Sequence, residues 1–152
     1  MIGNELNFRG IILNIIKAKT DQQIQDAYVV RYDVFVKEQG VDASIERDEL
    51  DKVATHVVGY VNDQPVACLR FTPTQHKGKI QRMAVLKAYR GQQLGKSLML
   101  ETEMFMKQAG LTISTLHAQK QATGFYEQLG YVVTSDEFFE ANIAHVAMEK
   151  TL

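Results

Sequence analysis

The stretch Arg90-Gly91-Gln92-Gln93-Leu94-Gly95-Lys96-Ser97 brings glycines, two cations and a hydroxyl together. Residues of these types hold anions. Glycines let the backbone come close to a ligand. A helix that starts here points free N–H groups and a positive dipole end outward. The nucleotide-binding P-loop needs four residues between its first glycine and Gly-Lys-Ser/Thr, and here only three separate Gly91 from Gly95-Lys96-Ser97. A P-loop wraps phosphates with successive N–H groups, so its length matters. Lys87-Ala88-Tyr89-Arg90 also separates the first glycine from the preceding strand, and the later segment Leu111 to Gln119 carries no acidic residue. These departures count against a small NTP-binding protein. They leave a phosphate cradle of another kind, with pyrophosphate a natural guest, or a plain strand-to-helix turn whose glycines relieve crowding.

The titratable residues offer a second set of candidates. Histidines fall at 56, 76, 117 and 145, with no spacing that suits a metal. The segment Asp48 to Lys52 lacks the glycine and ligand series of a calcium loop, so no metal is predicted. His56 and His117 stand at strand ends, where a near-neutral imidazole would suit a general base or water relay. Glu38, Gln39, Asp48, Asp51 and Glu140 are further candidates, and their acidity would favour a cationic amine such as a polyamine, an amino sugar or a lysine side chain.

A chain of 152 residues suggests one domain, residues 1–152, which at this size buries roughly 70% of its unfolded surface. Lys plus Arg count 17 and Asp plus Glu 18, a balance that argues against a nucleic-acid footprint. Cys68 is the single cysteine, so there is no disulfide framework, and the composition suits the cytoplasm. The apolar run from Ile11 to Ile16 is far shorter than the about 20 residues that span a bilayer. It also lacks signal-peptide features, so no membrane partner is predicted.

The elements that must position these groups follow from periodicity. A strand is predicted over Gly10 to Ala18. Thr20 and Gln23 form a capping box, opening a helix that ends near Gln39-Gly40. Asp42 to Lys52 reads as loop or short helix. Strands follow over His56 to Val61, Val66 to Thr72, Lys79 to Leu86 and Thr112 to Ala118. Between the last two, a long helix runs from Gly91 to Ala109 with Leu94, Leu98, Phe105 and Ala109 as its buried stripe. Ala122, Phe125, Tyr126 and Leu129 share one face of a short helix closed by Gly130. Tyr131 to Thr134 and His145 to Lys150 are the last strands. The order predicts a sheet covered by helices on both faces.

The segment "IQRMAVLKAYRGQQLGKSLM" resembles the acetyl-CoA-binding segment of the GNAT N-acetyltransferases, a strand followed by Arg/Gln-x-x-Gly-x-Gly/Ala and a helix. Arg90 and Gly95 fill the first and last places of that pattern, and Gln93 stands where the family usually has glycine. "QATGFYEQLGYVV" resembles the later family motif A-x-x-F-Y-x-x-x-G-F. Together with "RYDVFVKEQGV", "ERDELDKVATHVVGY" and "AHVAMEK", the chain looks like the small bacterial ElaA-like GNAT proteins over nearly its whole length.

The resemblance implies an α/β (α+β) GNAT acyl-CoA N-acyltransferase fold. Its mixed, mostly antiparallel sheet would have about six or seven strands, with helices on both faces and a V-shaped split between the fourth and fifth. Acetyl-CoA would be the cosubstrate and a small-molecule or peptide amine the acceptor, and a homodimer is common in the family. Met83, Ala84 and Val85 would pair with the pantetheine arm, and a bulge in that strand would aim an N–H at the thioester carbonyl, where a donor stabilises developing charge. Arg90, Gly91, Gln92, Gln93, Leu94, Gly95, Lys96 and Ser97 would hold the pyrophosphate, with Gln119, Phe125 and Tyr126 completing the cofactor site. Tyr126 matches the family's tyrosine acid, since a phenol stays protonated at neutral pH and can donate to a thiolate. His56 and His117 are the catalytic candidates for the base; Glu38, Gln39, Asp51 and Glu140 would line the acceptor pocket. A non-catalytic acyl-CoA-binding sensor on the same fold is the other reading.

Overall fold

A computed structural model describes residues 4–8 and 11–152. The chain runs β1 (Asn4–Phe8), β2 (Ile11–Lys17), α1 (Asp21–Arg31), a π-helical segment (Tyr32–Glu38), α2 (Ala43–Glu46) and a 3₁₀ turn (Glu49–Lys52). It continues with β3 (Thr55–Val61), β4 (Gln64–Thr74), β5 (Lys77–Val85), α3 (Leu94–Gln108) and β6 (Ile113–Gln119). It ends with α4 (Thr123–Gln128), β7 (Val132–Val133), β8 (Phe138–Glu140) and β9 (Ile143–Thr151). Among the described residues these strands form one nine-stranded sheet in the order β1-β2-β3-β4-β5-β6-β9-β7, with β8 also on β9. Two strands, β1 and β8, were not foreseen. The predicted start of the first strand at Gly10 lies outside the described residues.

Alternation along the strands feeds two buried layers, because successive side chains leave opposite faces of a sheet. Val57, Leu69, Ile80 and Leu116 join Leu98, Met99 and Met106 of α3 in one layer. Val58, Cys68 and Ala84 join Ala27 and Val30 of α1 in the other. Full burial of a side chain such as Leu98 or Met106 contributes roughly 2 kcal/mol. On α3 the predicted stripe holds for Leu94, Leu98 and Phe105, but Ala109 is exposed at the C-cap. Its place is taken by Met106, one turn earlier and fully buried.

The Thr20–Gln23 capping box is present. The first helix does reach Glu38, and Gly40 ends it at φ 75°. Its last stretch is wound as a π-helix, with Gln39 N–H donating to the Val34 carbonyl at 3.1 Å. Such widened turns recur at functional sites, and this one faces the cleft described below. Among the described residues no helix is long and apolar enough to cross a membrane.

The β5–β6 pair is parallel and every other pairing is antiparallel. It runs from Lys77↔Ile113 to Ile80↔Leu116 and then stops. Beyond it the two strands part, leaving Gln81–Val85 and His117–Gln119 on the two arms of a fork. These are the expected fourth and fifth strands, displaced by one in number because β1 precedes them. The fork coincides with a bulge: the β4–β5 register slips between Cys68 and Arg70, and Arg82 takes the left-handed conformation at φ 57°. A bulge inserts one unpaired residue and sharpens the local twist.

Candidate active site

The loop after β5 forms one wall of the fork. Gly91 has φ 76° and Gln93 has φ 65°. Gln93 is the N-cap of α3, so the helix begins at Leu94, three residues later than the spacing predicted. The first α3 hydrogen bond is Ser97 N–H to the Gln93 carbonyl at 3.1 Å. The N–H groups of Leu94, Gly95 and Lys96 therefore precede the helical ladder and are free for a ligand. A Cβ on Gly95 would lie 3.3 Å from Met83 Cε and 3.4 Å from Phe125 Cζ. Glycine is what lets the helix start, β5 and α4 meet this closely.

These elements enclose a cleft of about 630 Å³, lined by Met83, Ala84 and Val85 on β5, by Arg90, Gly91 and Gln93 to Lys96 on the loop and helix, and by Phe125 and Tyr126 on α4. Gln92 and Ser97 lie beside the cleft without lining it; the Gln92 amide donates to the Ala88 carbonyl at 3.3 Å. Val34, Tyr89 and Gln128 line it and were not foreseen. Tyr126 is half-buried, and burial pushes its hydroxyl above the ordinary phenol range. That hydroxyl lies 3.6 Å from Met83 Sδ.

On the other side of the fork lie a cavity of about 290 Å³ and an inner one of about 260 Å³. Tyr126 and Met83 line both the large cleft and the inner cavity, and Gln39 lines both the large cleft and the 290 Å³ cavity. His117 and Glu140 face the 290 Å³ cavity, with Nδ1 and Oε1 2.5 Å apart. Gln119, expected in the cofactor site, lines this side instead. His145 was passed over in the sequence and also lines both cavities. Its Nδ1–H donates to the Ile143 carbonyl at 2.7 Å, which leaves Nε2 with the lone pair. Phe138 separates the two imidazoles, 4.9 Å from His117 and 6.1 Å from His145 between ring centroids.

Four candidates, His56, Asp48, Asp51 and Glu38, lie elsewhere. His56 is 3% exposed, and its Nε2 donates to the Asp51 carbonyl at 2.9 Å. Asp51 sits inside a network that pins residues 42–52 to the sheet. Arg31 reaches Asp51 and Glu46 at 2.7 and 2.8 Å, Arg70 reaches Asp51 and Asp48 at 2.6 and 2.7 Å, and Arg82 reaches Glu46 at 3.1 Å. Glu46, Asp48 and Asp51 are thus neutralised by arginines of α1, β4 and β5. Burial alone would push the Asp51 carboxyl up, but the Arg31 and Arg70 guanidiniums and the Asp48 N–H hold it well below the usual range. Glu38 turns to the loop before α3, where it pairs with Arg90 at 2.6 Å. Hydrophobic periodicity carried no signal for these pairings, which join residues up to 52 positions apart.

Residues 15–152 match the Acetyltransferase (GNAT) domain family. This chain is a GNAT acetyltransferase. The uncharacterized N-acetyltransferase YjcF of Bacillus subtilis is 39% identical to it over 139 residues, covering 91% of this chain and 99% of YjcF. Protein ElaA of Escherichia coli is 29% identical over 134 residues, 80% of this chain and 82% of ElaA. The crystal structure of an acyl-CoA N-acyltransferase from Pseudomonas aeruginosa superposes with a TM-score of 0.82 at 26% identity, covering 92% of this chain and 99% of that one. As a GNAT acetyltransferase it is an acyltransferase enzyme of the acyl-CoA-dependent kind. The forked sheet, the free N–H groups of α3 and the close approach at Gly95 fit such a cosubstrate.

Proposed function

We propose that this GNAT protein, acting as one cytoplasmic catalytic domain, transfers the acetyl group of acetyl-CoA directly to a primary amine. One observation carries the reading: Tyr126 and Met83 stand where the 630 Å³ cleft meets the inner cavity. A donor in the first would meet, at those side chains, an acceptor that reaches the second from the adjoining 290 Å³ cavity, with which the inner cavity shares Gln81, His117 and His145. Bound acetyl-CoA supplies an acetyl thioester, whose carbon is attacked by the amine nitrogen as the C–S bond breaks.

The N–H groups of Leu94, Gly95 and Lys96 hold phosphate at the positive end of α3, with Lys96 adding charge. The bulged stretch of β5 presents backbone N–H groups toward the reacting carbonyl, where preorganised donors lower the barrier. His117 donates its Nδ1–H to Glu140, so its Nε2 is the lone pair that takes the proton from the amine. A carboxylate behind an imidazole fixes its tautomer and orientation, as in hydrolase triads. Tyr126 gives its proton to the departing thiolate. Burial keeps that proton on the phenol at working pH, which suits an acid.

Calorimetry with acetyl-CoA, CoA and ATP, followed by amine-dependent thiol release over a mixed amine panel, tests the reading. Acetyl-CoA binding with turnover supports it. Binding without turnover of any amine would favour an acyl-CoA sensor, and absence of acetyl-CoA binding would sink it.

A further inference from the structure

The side chains around the 290 Å³ cavity have an uneven charge balance. Arg82 and Glu46 both line it and neutralise each other at 3.1 Å, and Arg82 also reaches Asp48 at 3.4 Å. Two charged groups remain. Lys79 faces the cavity and has no carboxylate partner among the described residues. Nearby Glu149, which sits across the sheet through Thr115, is taken by Lys77 at 2.9 Å. Glu140 is the other, and its nearest partner is the His117 imidazole.

Lys79 stands in a donor-rich corner. The Gln81 side-chain Oε1 accepts from Arg70 at 3.0 Å, so the Nε2 of that amide remains a donor beside Lys79, and Lys79 and Gln81 both line the cavity. An ammonium and an amide NH₂ together suit a carboxylate. The opposite end, with a carboxylate and an imidazole lone pair, suits an amine. Lys79 is level with Thr115 on β6, and His117 is two residues farther along. That offset is about 7 Å along the strand, within reach of the two ends of one small molecule through a lysine and a histidine side chain. The cavity is near the lower end of ligand pockets, which begin at about 300 Å³, so the guest is small.

We infer that the acceptor is a small zwitterionic amine, a free amino acid in chemical class, with its carboxylate on Lys79 and Gln81 and its amine at the His117–Glu140 pair. The inference rests on the transferase reading above. A diamine or polyamine would bring a second cation to Lys79, a like-charge contact that works against binding.

The test is thiol release by the whole protein at saturating acetyl-CoA. The panel holds free α-, β- and γ-amino acids, their carboxamides, and diamines of equal length. The free amino acid should exceed its own carboxamide in kcat/KM by about tenfold, because a carboxamide leaves the Lys79 ammonium unpaired. Lys79→Gln should bring the amino acid down to the carboxamide's level. Carboxamides or diamines turned over as well as amino acids would overturn the inference while leaving the transferase reading standing. A preference that survives in Lys79→Gln overturns the assignment to that residue. No turnover of any amine overturns both. Should Lys79→Gln fail to fold, the comparison of amino acid with carboxamide on the unaltered protein decides.

Discussion

Glu38 holds Arg90 by two parallel contacts, Oε2 to Nη1 at 2.6 Å and Oε1 to Nη2 at 2.8 Å, while Arg90 Nε donates to the Val85 carbonyl at 2.9 Å. The pair ties the end of the π-helical segment to the loop that precedes α3. It draws the Glu38 carboxyl down and the Arg90 guanidinium up from their ordinary pKa values. The carboxylate also sets a negative charge beside the proposed phosphate site. Glu38→Gln is expected to tighten CoA binding by about threefold at low ionic strength, with the gain shrinking as salt screens both partners. Calorimetry with CoA in two salt concentrations reads this. Weaker binding would instead make Glu38 a support that orients Arg90.

Tyr126→Phe should lower kcat by about 100-fold, in the range of general acid–base contributions, while the dissociation constant for CoA stays within about twofold. The phenol loses its proton only above the ordinary value near 10. The unaltered enzyme should therefore show no alkaline loss assignable to this group below about pH 10. A kcat unchanged in the variant would remove Tyr126 from the chemistry.

Gln93 carries a side chain at φ 65°, a region that costs non-glycine residues roughly 1 kcal/mol or more. Gln93→Gly should raise the unfolding free energy by about 0.5–1 kcal/mol, part of the relief being offset by the freer unfolded chain. Urea denaturation measures it, and a lower midpoint for the glycine variant would contradict the assignment of strain.

Asp51 and Asp48 both have carboxyls held below their ordinary pKa by arginines. A depressed folded-state pKa contributes stability that is present above the unfolded value, near 4, and is lost as pH falls toward the folded value. The protein should thus lose stability as pH drops below about 4, and Asp51→Asn should flatten that loss. At neutral pH the same change should cost about 3 kcal/mol, because it leaves Arg31 and Arg70 short of a buried counter-charge. Urea unfolding at pH 7 and pH 3 gives both numbers.

The sequence by itself determined the local devices. Thr20 and Gln23 announce a helix start, Gly40 and Gly130 announce helix ends, and Arg90 to Gly95 announces a turn that can take phosphate. These are readable because each depends on neighbours a few residues away. Near-continuous apolar runs likewise marked the central strands β3 and β4, since both of their faces are buried. Tertiary structure decided what periodicity cannot hold. Strand order placed β5 beside β6, and the bulge at Arg82 let them part, which opened the cleft. Pairing at a distance committed Glu38 to Arg90 and Asp51 to Arg31 and Arg70, and it buried His56. It also brought Lys79, His117, Glu140 and His145 to one cavity from four strands. Charge and hydrogen bonding act through space, so which acid meets which base is fixed when the sheet assembles.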